Sequence, residues 1–132
     1  MPRSPADRTA ERLRAERLRA EKRGRRAEAV AALFLMAQLY TIAERRYRTP
    51  VGEIDLIAAR FGTIVFVEVK TRATPQGESD AMEAVNAARL TRAAQYYLSR
   101  HPARAHTSLR FDVIFVAPFA WPRHLKNAFD AV

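Results

Sequence analysis

The sequence describes a small basic chain of 132 residues, of which 48% are hydrophobic, with a formal net charge of +9. This content can build one buried core, which excludes a disordered polymer, and the longest apolar run, residues 29–37, is much shorter than the roughly 20 residues of a membrane-spanning helix. The absence of cysteine excludes disulfides and thiolate zinc sites, and no apolar signal core follows the arginine-rich N-terminus. We therefore expect a protein of the reducing cytoplasm without a membrane partner.

Residues 1–23 are predicted to form a basic N-terminal arm, helical or disordered, ahead of a domain over residues 24–132. Two thirds of the net charge lies in the first fifth of the chain, which suits a polyanion partner such as nucleic acid. A five-residue repeat gives the arm no apolar stripe, so a solvated arm is the simpler interpretation. The alternatives are an RNA or ribosome-associated role, or an arm that grips DNA. The arginines assigned to nucleic-acid binding are Arg12, Arg19, Arg23, Arg25 and Arg26.

The apolar pattern after the arm predicts the order helix, three strands, helix, strand. The first helix is apolar almost all round, which favours burial against a sheet, and the charges of the first strand favour a sheet edge. Only two residues separate the second and third strands, so we expect a tight hairpin. These elements are the helix Glu28–Leu39 and the strands Thr41–Arg48, Gly52–Arg60 and Thr63–Arg72.

After a loop over residues 73–79, a second helix is predicted to begin near Ser79 or Asp80, where Asp80 and Glu83 have the spacing of a capping box. Its apolar residues recur every three to four positions and predict one buried stripe. The helix is expected to stop before Pro102, because proline cannot continue it.

One more strand, Ser108–Val116, and a tail over residues 118–132 with room for one short helix complete the chain. The long helix between the third and fourth strands predicts a right-handed crossover and a mixed sheet. Within the last strand, Arg110 and Asp112 are expected to form a structural ion pair. The predicted fold class is therefore α/β.

Charged residues occur inside strands that otherwise have the composition of a core. Glu68 and Lys70 project from one face of the third strand, about 6.6 Å apart along it. Glu53 and Asp55 are expected to share one face of the preceding strand, with Ile54 and Leu56 on the opposite face. Paired strands lie about 4.8 Å apart, so Asp55 can lie beside Glu68 if the hairpin register allows it.

These charges are unfavourable in a core unless they pair or bind a cation. Carboxylate oxygens suit Mg²⁺ or Mn²⁺, and Lys70 would then position the attacking water or stabilise the oxygens of a phosphodiester under attack. The alternative is an internal ion-pair cluster in which Lys70 neutralises Asp55 or Glu68. Spacing alone does not distinguish metal chemistry from structural pairing.

Three motifs, GEIDLIA, VFVEVKTR and RFDVIFV, resemble those of the bacterial YraN-like family over residues 24–132. That family has a restriction-endonuclease-like fold and is similar to the PD-(D/E)xK nucleases and Holliday-junction resolvases. The resemblance implies a core of helix, three strands, helix and strand, with helices flanking a mixed sheet. It also implies a nuclease that hydrolyses DNA phosphodiester bonds, perhaps of branched substrates, with Mg²⁺ or Mn²⁺ as cofactor.

The same resemblance implies roles for individual residues. Asp55 and Glu68 would ligate the metal, Lys70 would be the catalytic lysine, and Glu28 on the first helix would reach the same site. The expected catalytic set is therefore Asp55, Glu68 and Lys70. Accessory positions are Glu53 and Arg72.

Four positions depart from the usual pattern of this family and bear on DNA geometry and substrate preference: Ala27, Arg46, Gln76 and Asn86. At the position of Arg46 an asparagine is common in the family. The competing function is a nucleic-acid-binding protein that retains the fold without turnover. Because nucleases of branched DNA often act as symmetric dimers, a homodimer also stays open.

Overall fold

The computed structural model describes residues 2–71 and 85–131. Within these ranges the chain forms two α-helices, a short 3₁₀ turn at Pro102–Arg104 and five strands. The helices are α1 (Pro5–Ala37) and α2 (Ala87–Arg100), and the strands are β1 (Thr41–Thr49), β2 (Gly52–Arg60), β3 (Thr63–Thr71), β4 (Ser108–Val116) and β5 (Arg123–Leu125).

The five strands form one mixed sheet in the order β1-β2-β3-β4-β5. The pairs β1–β2, β2–β3 and β4–β5 are antiparallel, whereas β3 and β4 run parallel with α2 between them in the chain. The predicted α/β class and mixed sheet are confirmed, and β1 lies at an edge as its charges indicated. This architecture is consistent with a restriction-endonuclease-like fold.

Helices cover both faces of the sheet and create two apolar clusters. In the α1-side cluster, Ala31 and Leu35 pack with Val65 and Val67 of β3. In the α2-side cluster, the α2 residues Ala93, Ala94 and Tyr97 pack with Ile64, Phe66 and Phe111. The period-two alternation along β3 thus directs its odd valines to one helix and its even residues to the other.

Helix α1 is continuous from Pro5, so the prediction of a separate helix beginning at Glu28 is wrong. Ser4 caps the helix, since its hydroxyl accepts a hydrogen bond from the Asp7 backbone N–H and the Asp7 carboxylate accepts one from the Ser4 N–H. Gly24 does not interrupt the helix because strong helix formers flank it. No residue from 2 to 26 is buried, in agreement with the solvated arm.

Helix α1 is long enough to cross a bilayer but is interrupted by charges throughout its first half. No helix in residues 2–71 or 85–131 is both long and apolar enough to span a membrane.

Helix α2 begins later than predicted. Asn86 caps it by accepting a hydrogen bond from the Arg89 N–H at 2.9 Å, and residues 85–86 are not helical. A continuous helix from Ser79 or Asp80 is therefore wrong, while the capping pair at 80 and 83 and the loop over 73–79 lie outside the described residues. The buried stripe and the end of the helix before Pro102 are confirmed.

The tail, which had room for one short helix, adds a strand instead. Strand β5 pairs with β4 and supplies hydrogen-bond partners to the edge of β4 that would otherwise have none in the sheet. Asp112 holds this tail in place, since its carboxylate accepts hydrogen bonds from His124 Nε2 at 2.6 Å and from the Asn127 N–H at 2.9 Å. The predicted ion pair between Arg110 and Asp112 is present, with a shortest distance of 2.8 Å.

Candidate active site

Asp55 lies where the backbone pairing between β2 and β3 ends. The last paired residues on this side of the hairpin are Leu56 and Val67. Beyond them, Asp55 Oδ2 accepts a hydrogen bond from the Val69 backbone N–H at 2.8 Å. The Asp55 carboxylate thus accepts the hydrogen bond that a backbone carbonyl of the paired strand would normally accept. This bond directs the carboxylate between β2 and β3, at the edge of the site.

The strict alternation expected along β2 is wrong at this position. Ile54 packs in the α2-side cluster and Leu56 in the α1-side cluster, although both were assigned to one face. The register with β1 pairs Arg45 with Leu56 and Tyr47 with Ile54, and Arg46 between these partners has a positive φ of 50°. This left-handed residue distorts the strand pair locally, which explains why Asp55 departs from the period of two.

Three carboxylates converge at this point. Glu28, Glu53 and Asp55 each offer an oxygen within 4.8 Å of the other two. Glu28 comes from the stretch of α1 that begins to pack on the sheet, and its side chain is 17% exposed. The structure therefore brings together the predicted ligands Glu28 and Asp55 with Glu53, which was assigned only an accessory position.

Glu68 and Lys70 lie together beside this cluster. Lys70 Nζ is 3.4 Å from Glu68 Oε1, so the lysine is held by the carboxylate two residues before it. Glu68 does not belong to the set of three converging carboxylates found among the described residues. Its Oε2 atom is buried without a hydrogen-bond partner in that part of the chain. The accessory position Arg72 lies outside the described residues.

Burial and repulsion from neighbouring carboxylates raise the pKa values of Asp55 and Glu68. Burial is the main cause for Asp55, followed by the charge of Glu68, and together they raise its pKa to about 7 against the opposing effect of the Val69 N–H. Burial also raises the pKa of Glu68, although Lys70 opposes the shift. The site thus favours a bound cation or a proton near neutral pH.

The protein supplies two cations to the cluster that sequence reasoning did not assign to the site. Arg46 Nε lies 2.6 Å from Glu28 Oε2, and the two side chains are 35% and 17% exposed. On the outer side, Arg48 lies 3.8 Å from Glu53 and is almost fully exposed. The departure from the family pattern at position 46 was the one signal in the sequence for the first of these contacts.

Arg89 of α2 also reaches the site and was missed. Its charge acts on Glu68, where it lowers the carboxyl pKa against the effect of burial. Gly52 makes room for it, because a Cβ at Gly52 would lie 2.7 Å from Arg89 Nη1, and the Gly52 φ of +144° also suits glycine. The approach of α2 to the start of β2 is a tertiary contact, so no local pattern could have indicated it.

The predicted nucleic-acid-binding arginines are all on exposed positions of α1. Arg23 and Arg26 line a groove that also includes Thr71, the residue after Lys70. Arg12 and Arg19 lie further along the helix, away from the sheet. The arm therefore presents a row of cations that begins beside the candidate site.

Comparison with known proteins identifies the family. Residues 27–116 match the model of the uncharacterised protein family UPF0102. The chain is 51% identical over 108 residues to a UPF0102 protein from Methylorubrum extorquens, covering 82% of this chain and 84% of the relative. It is 46% identical over 129 residues to one from Rhodopseudomonas palustris, covering 98% and 93%. The chain therefore belongs to the UPF0102 family, which is the YraN-like family that its motifs resembled.

Proposed function

We propose that this protein is a divalent-metal-dependent nuclease that hydrolyses phosphodiester bonds in DNA. The observation that carries the proposal is the convergence of Glu28, Glu53 and Asp55 beside the Glu68–Lys70 pair. Three like charges in a half-buried position repel one another, and a hard cation is the partner that relieves this most directly.

The donor set fits Mg²⁺ or Mn²⁺. All three side chains offer carboxylate oxygens, which these hard ions prefer, and the buried Glu68 Oε2 is a fourth oxygen in need of a partner. The metal would be held by Glu28, Glu53 and Asp55, with Glu68 at the margin. A divalent ion bound there supplies positive charge to the reacting phosphate and a water of lowered pKa.

The remaining residues of the site bind and orient the substrate. Lys70 is held by Glu68, so its ammonium group is fixed near the carboxylates and can donate to a phosphate oxygen or to the attacking water. Arg89 adds a second positive charge on the α2 side. The Val69 N–H holds Asp55 in one orientation, which prepares its free oxygen for the metal.

Nucleic acid is the partner that the charge distribution supports. The chain carries a net charge of +9, concentrated on the exposed first half of α1. Phosphate contacts along such a helix give affinity that falls steeply with salt. A protein that binds only neutral ligands has no need of so concentrated a positive charge. Binding of DNA or RNA therefore explains the charge better than binding of a neutral substrate does.

One observation favours a second candidate function, a nucleic-acid-binding protein without turnover. Arg46 pairs with Glu28 and so neutralises one of the three carboxylates without any metal. In this alternative the acidic cluster is a structural ion-pair network, and only the basic surface acts. The two candidates differ in whether the chain binds Mg²⁺ or Mn²⁺ at micromolar to millimolar concentrations.

Cleavage of branched and duplex DNA in the presence of Mg²⁺ or Mn²⁺ tests the proposal. Asp55→Asn and Lys70→Met should abolish cutting while leaving the fold intact, because both preserve side-chain volume. Lys126→Met, which removes an exposed lysine, is the matched control and should cut normally. Undiminished cutting by both site variants would show that the activity belongs elsewhere.

A further inference from the structure

A groove beside the candidate site has features that the hydrolytic residues do not use. It lies between α1 and the segment that joins β4 to β5, and its volume is about 690 Å³, within the range of small-ligand sites. Phe119 and Trp121 line it, and both side chains are almost entirely exposed. Two large exposed aromatic residues so close together on a small protein indicate a binding surface.

The charge of the groove selects an anionic occupant. Arg23 and Arg26 line the α1 side, and no acidic residue lines the groove in the part of the chain that the structure describes. Neither arginine forms an ion pair with another residue in 2–71 or 85–131. Flat aromatic faces together with guanidinium groups complement bases joined by phosphates.

The groove borders residues of the candidate site along the chain. Thr71 lines it and follows Lys70 in β3, and Ala27 lines it and precedes Glu28 in α1. Thr71 also pairs with Val116 of β4, and Val116 leads directly into the segment between β4 and β5 that carries Phe119 and Trp121. A DNA strand whose phosphate lies at the carboxylates can therefore extend towards the groove.

The backbone conformation at Phe119 supports a role of its side chain in ligand binding. Its φ is +58°, a left-handed conformation that is unfavourable for a bulky residue, and the side chain points to solvent rather than to a core. Because the Phe119 ring is exposed, its burial does not offset this backbone strain. Contact with a ligand would do so, and such strain is found most often at ligand-binding segments.

We propose that this groove binds unpaired nucleotides next to the scissile phosphate, with bases stacked on Trp121 and Phe119 and phosphates at Arg23 and Arg26. The inference rests on the proposed nuclease function for the identity of the anion. It narrows the substrate to DNA with a single-stranded segment, such as a flap or fork, because bases inside a duplex are already stacked on both faces.

Trp121 is the sole tryptophan of the chain, so its fluorescence reports on the groove alone. The full chain is titrated with a short oligothymidylate in EDTA, and binding is followed both by Trp121 emission and by the anisotropy of a labelled oligonucleotide. We expect quenching that parallels the anisotropy. Trp121→Ala should weaken oligothymidylate binding about 5- to 100-fold, and Trp121→Phe should restore most of it.

Phe61→Ala is the matched control, because Phe61 is an equally exposed aromatic residue at the β2–β3 turn and should be dispensable for binding. A blunt duplex with the same number of phosphates should bind wild type and Trp121→Ala alike. The proposal is overturned if Trp121→Ala binds oligothymidylate as tightly as wild type, or if the emission stays constant while anisotropy reaches saturation.

Two other occupants would also overturn it. An emission shift with protein concentration alone would make the groove an interface between copies, and a shift with anionic vesicles but not with oligothymidylate would make it a lipid contact. Because the assay contains no metal, its outcome is independent of cleavage. Absence of cutting by the wild type with retained Trp121 quenching would contradict the nuclease proposal alone, whereas metal-dependent cutting without Trp121 quenching would contradict the groove proposal alone.

Discussion

Arg46 Nε lies 2.6 Å from Glu28 Oε2, so a cation of the protein itself already neutralises part of the candidate metal site. The same residue has a left-handed backbone and lies in β1 between the partners of Leu56 and Ile54. Metal binding at the cluster must therefore compete with an internal ion pair. This competition makes the affinity for Mg²⁺ depend on a residue that is not a ligand.

Arg46→Gln should tighten Mg²⁺ or Mn²⁺ binding by about tenfold, equivalent to about 1.4 kcal/mol, because it frees Glu28 and removes a nearby positive charge. Arg48→Gln has the same charge change on the same strand but affects an exposed, loose contact with Glu53, and should alter affinity by less than about threefold. Calorimetric titration of both variants measures this. Equal affinities in wild type and Arg46→Gln would contradict a metal site that includes Glu28.

The stability of the metal-free protein should fall as the pH rises from about 4 to about 7. The pKa of Asp55 is about 7 in the folded state and about 3.8 in the unfolded chain, so the folded state binds more protons over this range. Stability that is present below the unfolded pKa is thus lost as the pH rises through the folded one. The upper bound of this effect is about 4 kcal/mol.

Asp55→Asn removes the titration and should therefore be more stable than wild type above pH 7 in EDTA, with little difference near pH 4. Asp130→Asn, at an exposed position, should follow the wild-type profile. Urea unfolding at several pH values measures both variants. A wild type that is as stable as Asp55→Asn at pH 8 would contradict the burial of an ionised Asp55.

The buried Asp112 network should be essential for stability and irrelevant to metal binding. Asp112 is fully buried, and Asp112→Ala would leave Arg110 and His124 without their carboxylate partner. We expect a loss of about 3–5 kcal/mol in the free energy of unfolding. Asp130→Ala, by contrast, should change it by no more than about 0.5 kcal/mol.

Urea unfolding of the Asp112 variant, together with a Mg²⁺ titration of its folded form, separates the two roles. A stable Asp112→Ala protein that had lost Mg²⁺ affinity would assign Asp112 to the site and not to the anchoring of the tail.

The continuity of α1 through Gly24 can be tested by one substitution. A Cβ at Gly24 would meet nothing within 4 Å, so Gly24→Ala should add about 0.5–1 kcal/mol of stability by restricting the unfolded chain. Circular dichroism should show equal or greater helix content. A loss of helix content would show that Gly24 is a functional break between arm and domain.

The strands were the part of the fold most accessible from sequence. The bounds of β2 and β4 are as predicted, because each has a dense apolar pattern that ends at turn residues. The pattern could not indicate β5, which has three residues and is held by Asp112, a partner distant in sequence. Gly24 suggested a break that the helix does not have, since its weak propensity is overcome by its neighbours.

The sequence indicated which residues form the candidate site better than it indicated how they are arranged. Asp55 and Glu28 were assigned to one site, and they do lie together, but strict alternation along β2 failed where Arg46 distorts the neighbouring strand. Glu53, which was expected on one face with Asp55 but was assigned only an accessory position, joins these two carboxylates. Arg89 reaches the site because α2 packs near the start of β2, and the periodicity of the sequence does not predict which residues meet in such a contact.

Titration of Mg²⁺ and Mn²⁺ into the wild-type protein and Asp55→Asn is the most direct test of a metal-dependent nuclease. Asn keeps the size of the side chain and can still accept the hydrogen bond of the Val69 N–H, so the variant removes charge with little change in structure. We predict binding by the wild type with release of protons at pH 7, and at least a tenfold loss of affinity in the variant. Absence of binding to the wild type, or equal binding by both proteins, would contradict the proposed metal site.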